Sequence, residues 1–242
     1  MRVLHRPNNS WQQRPSVGSL SRSLLALVAG FCDTATFIHM GGVFSAHVTG
    51  NFVLFAAALA QGVQGDDYLK IVTFPVFILG VTVAMLIAGR NASPLRKVKR
   101  ILLMMSLLLI IAATLALTGM HELPGLQLDN NDVLITMLVV FAMAMQNSIH
   151  RFIKGPMTTV MTGTVMNTTA RFVSRHVWHV DADPQPAPAP RVKPVMMIAA
   201  FALGCVIAGF LTDQFGLVSI IVPAGLLCLV TALELRNRQQ VD

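Results

Sequence analysis

The chain has 242 residues, of which 54% are apolar and only 12% charged, about half the charged share of a soluble domain, so a water-soluble globular fold is excluded. The formal net charge of +7 would suit nucleic acid, but Arg and Lys gather beside apolar runs, as in RNASPLRKVKR (Arg90–Arg100), the pattern of membrane loops rather than of a groove-binding stripe. Three cysteines, Cys32, Cys205 and Cys228, lie inside apolar segments without a C-x-x-C pair, which argues against a zinc site or disulfide framework and for small buried hydrophobes.

In chain order, residues 1–22 form a polar arm carrying Arg2, Arg6, Arg14 and Arg22. No A-x-A cleavage site follows, so the first apolar run, about 23–42, reads as an uncleaved span containing Asp33. Residues 47–62 open with HVTGN (His47–Asn51) and form either a short span or a half-helix that enters and turns back. Spans follow at about 71–89 and 101–119, with the basic loop between them. The loop 121–131 has no Lys or Arg. A fourth span covers about 132–150, and a second short segment, 157–173, contains MTGTVMN (Met161–Asn167). PQPAPAP (Pro184–Pro190) reads as a polyproline-type linker. Two last spans, about 195–212 and 217–235, precede a basic tail at 236–242.

Charge decides how often the chain crosses. The positive-inside rule puts the Arg90–Arg100 loop in the cytoplasm and the 121–131 loop outside. A full crossing by 47–62 would force the basic loop out whenever the N-terminus is in. With six crossings, both termini and every basic loop share the cytoplasmic side. Irregular backbone at membrane depth is tolerated where protein or a water-filled cavity satisfies it.

The two halves also match. Asp33 precedes Thr49-Gly50 by the interval that separates Gln146 from Thr162-Gly163, and Gly80, Ala84 and Ala88 superpose on Ala200, Gly204 and Ala208. The register shift between these matches is taken up by the proline run. Three crossings per half would insert the second half upside down. The expected fold is therefore an all-α integral membrane protein of about six transmembrane helices in two inverted repeats, 23–120 and 132–235, plus two short re-entrant or broken helices. In many secondary transporters this pattern places the site between repeats.

An acid within a span is expensive and functional by default, which singles out Asp33. In HVTGN, Gly50 permits the backbone of a broken helix, while Thr49 and Asn51 can satisfy freed amides. Thr162, Gly163 and Thr164 repeat this, with Gln146 and Asn147 in place of the acid. His47, with His39 and His150, lies near the same break and could shuttle protons. Their spacing does not support a metal site. The candidate pathway for a substrate or ion is Asp33, His47, Thr49, Gly50, Asn51, Gln146, Asn147, Thr162, Gly163 and Thr164. The bland reading is that both motifs only let helices pack closely. Catalysis finds no G-x-S-x-G, H-E-x-x-H or phosphate-cradling motif, and no cofactor is implied.

AGFCDTATFIHMGGVFSAHVTGN (Ala29–Asn51) resembles the first motif of the YoaK-like family of bacterial membrane proteins, a domain-of-unknown-function family. FAMAMQNSIHRF with TTVMTGT (Phe141–Thr164) resembles its second motif, apart from a missing glycine before the Gln-Asn pair. The likeness runs over about 23–235. It implies a multi-pass bacterial inner-membrane protein and supplies no substrate. The expectation is a small-solute or ion transporter or channel with a central polar site, or else a non-transporting scaffold or subunit. Its partners are the bilayer and an unidentified small solute or ion. Six spans are few to enclose a site, which fits a homodimer.

Overall fold

A computed structural model describes residues 17–63, 65–119, 130–153, 157–159, 161–176 and 194–236. The expected Pro184–Pro190 linker, most of the N-terminal arm and 121–131 loop, and the tail beyond Arg236 lie outside them. The described residues are helical and contain no strand: α1 (Ser19–His39), α2 (Val48–Gln61), α3 (Tyr68–Ala88), α4 (Pro94–Thr118), α5 (Asn130–Ser148), α6 (Met161–His176), α7 (Pro194–Phe215) and α8 (Ile221–Arg236). Short 3-10 turns follow α5 (Ile149–Arg151) and α7 (Gly216–Ile220). Local sequence sets several of these ends. Pro94 opens α4 at the position where a missing N–H costs nothing. Gly89, at φ +72°, closes α3, and the Arg100 Nη1 donates to the Ile87 and Ala88 carbonyls, both at 3.3 Å.

Among the described residues, five helical runs are long and apolar enough to cross a bilayer: Ser19–His39, Tyr68–Ala88, Pro94–Thr118, Asn130–Arg151 and Pro194–Arg236. The last has 43 residues. Straight, it would reach about 65 Å, twice the roughly 30 Å of hydrocarbon. It is not straight. Gly216, at φ +55°, stands beside His39 at the end of α1 and turns the chain back. Before that turn Met197 packs with Ala26, and Ala208 with Phe31 and Ala35, so α7 runs parallel to α1. After it the Ser21 hydroxyl donates to Glu234 at 2.6 Å, so α8 runs antiparallel. The fifth run is two crossings, and six in all agree with the count from charge.

Direction follows equally for α5. His39 pairs with Asp132 at 3.2 Å and Gln146 Nε2 donates to the Leu25 carbonyl at 2.9 Å, so α5 is antiparallel to α1. Lys97 lies 5.4 Å from the Phe152 ring centroid, which brings the Arg90–Arg100 loop to the end where α1 begins. Among the described residues, Arg22, Arg151, Arg236 and the Arg90–Arg100 loop share that end, while Asp66, Asp67 and Asp132 sit at the other.

Small residues decide which helices touch. A Cβ on Gly204 would collide with the Leu27 carbonyl, and one on Gly30 with the Phe201 carbonyl, so α1 and α7 pack backbone to backbone. A Cβ on Gly80 would stand 2.7 Å from Ala144 Cβ and 2.9 Å from the Phe141 carbonyl oxygen, which presses α3 onto α5. The buried faces of α3 and α7 include Gly80, Ala84 and Ala88 and Gly204 and Ala208, the stripes expected from sequence. Helices α4 and α8 close the bundle, joined by a 2.9 Å Ser106–Thr231 hydrogen bond. By contrast α2 packs chiefly on α3 and α6 on α7, each leaving most of its surface uncovered.

Candidate functional site: two polar networks at broken helices

The chain leaves α1 at Met40 and reverses through Gly41 (φ +60°) and Gly42 (φ +92°), angles that favour glycine. Residues 43–47 then run back along α1, and α2 starts beside Asp33. That point lies about 9 Å inside the end of α1 at 1.5 Å per residue. With 14 residues, α2 is about 21 Å long, too short to cross.

A chain that stops and restarts inside a bundle frees backbone amides, which must find acceptors. Asp33, 4% exposed, supplies them. Its Oδ1 accepts from the Ala46 amide at 2.6 Å and, at 3.4 Å, from the His47 amide and the Ser45 hydroxyl. Its Oδ2 is in close hydrogen-bond contact with His47 Nδ1, an ion pair whenever the imidazole is protonated. The acid caps the start of α2 from another helix. The His47 ring is one-third exposed and stands edge-on to Phe44 and to Phe201 of α7, with centroids 6.2 and 5.9 Å away.

The remaining motif residues hold Phe44. Asn51 is fully buried. Its Oδ1 accepts from the Phe44 amide and its Nδ2 donates to the Phe44 carbonyl, both at 2.8 Å, and Nδ2 also reaches Thr73 Oγ1 on α3 at 2.9 Å. Gly50 leaves room for the ring, since a Cβ there would lie 3.2 Å from Phe44 Cδ2. Phe44 in turn packs on Phe37 of α1, centroids 4.7 Å apart. Thr49 is exposed and takes no part. In HVTGN, then, His47 answers the buried acid while Gly50 and Asn51 seat one aromatic plug.

The second network repeats the plan with other groups. Gln146, fully buried, donates from Nε2 to the Leu25 carbonyl and, at 3.1 Å, to Thr158 Oγ1. The Thr158 amide donates to His150 Nε2 at 3.0 Å, and the Thr159 hydroxyl donates to Asn147 Oδ1. Because Nε2 of His150 accepts, its proton sits on Nδ1. The Leu25 carbonyl likewise fixes the Gln146 amide with Oε1 turned away. Among the described residues, His150 Nδ1 and Gln146 Oε1 are buried and meet no hydrogen-bond partner.

The predicted residues therefore divide. Asp33, His47, Gly50 and Asn51 come together, as do Gln146 and Asn147. Thr162 and Gly163 are exposed, a Cβ on Gly163 meets nothing, and Thr164 is buried on α6 away from the Gln146 contacts. In place of the second Thr-Gly pair the structure uses Thr158, Thr159 and His150. His150 stands out from sequence as lying near the break, whereas Thr158, Thr159, Phe44, Ser45 and Thr73 are not among the candidate site residues. The available signal was a shared spacing: Asp33 to Ser45 and Gln146 to Thr158 are both twelve residues. Nor do the networks touch. Leu25 and Asp33 are about 12 Å apart along α1, with Ala26, Ala29 and Cys32 fully buried between them.

Comparison with known proteins adds a family. The model of "Protein of unknown function (DUF1275)" matches residues 22–233. Over 73 residues the chain is 36% identical to the UPF0700 transmembrane protein YoaK of Bacillus subtilis (strain 168), an alignment covering 30% of this chain and 32% of that protein. The chain thus spans about a third of the curated relative it matches. No solved structure gives a significant match.

Proposed function

The chain belongs to the DUF1275 family and is a multi-pass membrane protein, and from its own residues we propose that it is a transporter or channel for a small solute or ion, with Asp33 and His47 carrying a proton. One observation carries the reading: a buried carboxylate is joined to a partly exposed imidazole at the start of a helix that begins inside the bundle. Within a membrane such a pair is expensive where packing is the only task. The imidazole has Nδ1 on the acid and one-third of its side chain exposed, an arrangement that suits a proton relay.

The helix pairing supports it, being what an inverted repeat would give. The α1–α7 pairing is mirrored by α5–α3, and α4 meets α8. Helices α1 and α5 are antiparallel, and each holds a hydroxyl twelve residues ahead. Helix α2 is then re-entrant from the acidic end and α6 from the basic end. By the charge rule the basic end, with both termini, faces the cytoplasm of a bacterial inner membrane.

The test is side-specific thiol labelling at Ser45→Cys and Thr159→Cys in a cysteine-free background, paired with proton flux in proteoliposomes. Labelling from opposite faces is expected, with flux abolished by Asp33→Asn and His47→Gln. Two unreactive thiols and unchanged flux would sink the reading. One observation favours the scaffold instead: Thr49, Thr162 and Gly163 lie on open surface, where a second copy or another chain can cover them. Loss of an intermolecular cross-link at Thr162→Cys upon dilution into detergent would mark that contact without touching the flux result.

A further inference from the structure

Between the last turn of α1, the start of α3 and the Leu54–Ala57–Ala58–Gln61 face of α2 lies an open cleft of about 790 Å³, within the usual size of ligand sites. Its walls are apolar side chains of α1 and α2, Phe37 and Ile38 among them. Its rim is backbone, for it includes Gly41, Gly42 and Gly62, each at positive φ. An added Cβ at Gly41 or Gly62 would meet nothing, and one at Gly42 would make only ordinary contact with Lys70 Cε at 3.7 Å, so the positive φ angles and not crowding call for glycine here. Lining it as well are Lys70 and Asp67, 7% and 8% exposed, with Nζ 2.6 Å from Oδ1.

An ion pair so deeply buried is poor stabilisation on its own, because desolvation offsets most of the attraction. As a recognition element it makes sense. The ammonium has three donors and Asp67 Oδ1 takes one. We infer that the cleft binds a zwitterion bearing an apolar group, its anionic end at Lys70, its ammonium at Asp67 and its apolar part against Phe37, Ile38 and Leu54. The pair has no net charge, so a zwitterion adds none to the site. A cation or an anion would meet one member of the buried pair and leave the other without a complementary group. This inference rests on the transport reading and gives it a substrate class. Phe37 lines the cleft and Phe44 packs between Phe37 and His47, so the aromatic plug stands between this outer site and the proton-carrying pair.

The same head-group chemistry is found in a free amino acid and in an ethanolamine phospholipid, and the test separates them. The full chain in maltoside detergent is melted with L-leucine, with leucinamide (a cation) and with 4-methylpentanoate (an anion). It is then melted in phosphatidylcholine nanodiscs with and without phosphatidylethanolamine. Leucine is expected to raise the Tm, the two singly charged probes to act at least tenfold more weakly, and Lys70→Met or Asp67→Asn to weaken leucine at least tenfold. Ala57→Trp fills the cleft and leaves the ion pair intact, so it should lose leucine binding at an unchanged resting Tm even where the charge variants fail to fold. Equal protection by all three probes, or by none, overturns the inference, as does full leucine protection of Ala57→Trp. Protection by phosphatidylethanolamine alone overturns the solute as occupant. Leucine binding without proton flux would count against the transport reading only. Proton-linked flux of another solute without leucine binding would count against the cleft only.

Discussion

Asp33 and Gln146 each stand sixteen residues before a Thr-Gly pair and each holds a hydroxyl twelve residues on, yet they do different work. The Asp33 carboxylate is engaged at both oxygens, by two amides, a hydroxyl and an imidazole. Gln146 is engaged through its nitrogen, by a backbone carbonyl and a threonine hydroxyl. A charge anchors one broken helix, and amide dipoles hold the other. The Asp33 side is thus held by more bonds, and by bonds to a carboxylate, which are stronger than the neutral ones on the Gln146 side.

Removing each anchor breaks this comparison most directly. Asp33→Ala strands the Ala46 and His47 amides and the imidazole at once, and should cost about 3–5 kcal/mol, the range for half of a buried ion pair. Gln146→Ala loses two neutral hydrogen bonds and removes an orphaned oxygen, so about 1–2 kcal/mol is expected. Thermal unfolding in detergent reads both. Equal losses would mean that the two networks are mechanically alike.

The next effect separates clamp from contact. Asn51 makes three hydrogen bonds around Phe44 and α3, whereas Asn147 accepts one from Thr159. Hydrogen bonds inside membrane proteins average about 0.6 kcal/mol, so Asn51→Ala should cost about 2 kcal/mol and Asn147→Ala well under 1. The sharper readout is the labelling rate of Ser45→Cys, which should rise severalfold in Asn51→Ala as Phe44 loosens and stay constant in Asn147→Ala.

The sequence made the scaffold legible because lipid enforces simple rules. Apolar runs located six crossings, the stripes of Gly80 and Gly204 marked the faces in contact, and a lone acid marked the first network. Asp33 was visible because a carboxylate has few reasons to be in a membrane. Thr158 and Thr159 were not, since threonines satisfy themselves on their own helix and carry no such penalty. Phe44 was hidden for the opposite reason, as one more aromatic among apolar neighbours. The Thr-Gly pairs misled by being identical: at Gly50 a neighbouring ring gives the glycine a purpose, and at Gly163 no neighbour within the chain does.

The smallest effects test that last contrast. Gly50→Ala places a Cβ 3.2 Å from the Phe44 ring, so the ring must give way, and a loss of about 0.5–1 kcal/mol is expected after the gain in helix propensity is counted. Gly163→Ala meets nothing and keeps only the propensity gain, so stability should rise by about 0.5 kcal/mol. Gly163→Leu extends the comparison beyond one chain. If the α6 surface faces lipid, leucine is tolerated there and the Tm follows the alanine variant. If a second copy lies against Thr162 and Gly163, leucine is too large for a close helix contact, and the sedimenting species shifts from dimer to monomer while the monomer's own melting stays put. Gly50→Leu cannot give that pattern, because Phe44 blocks it from within.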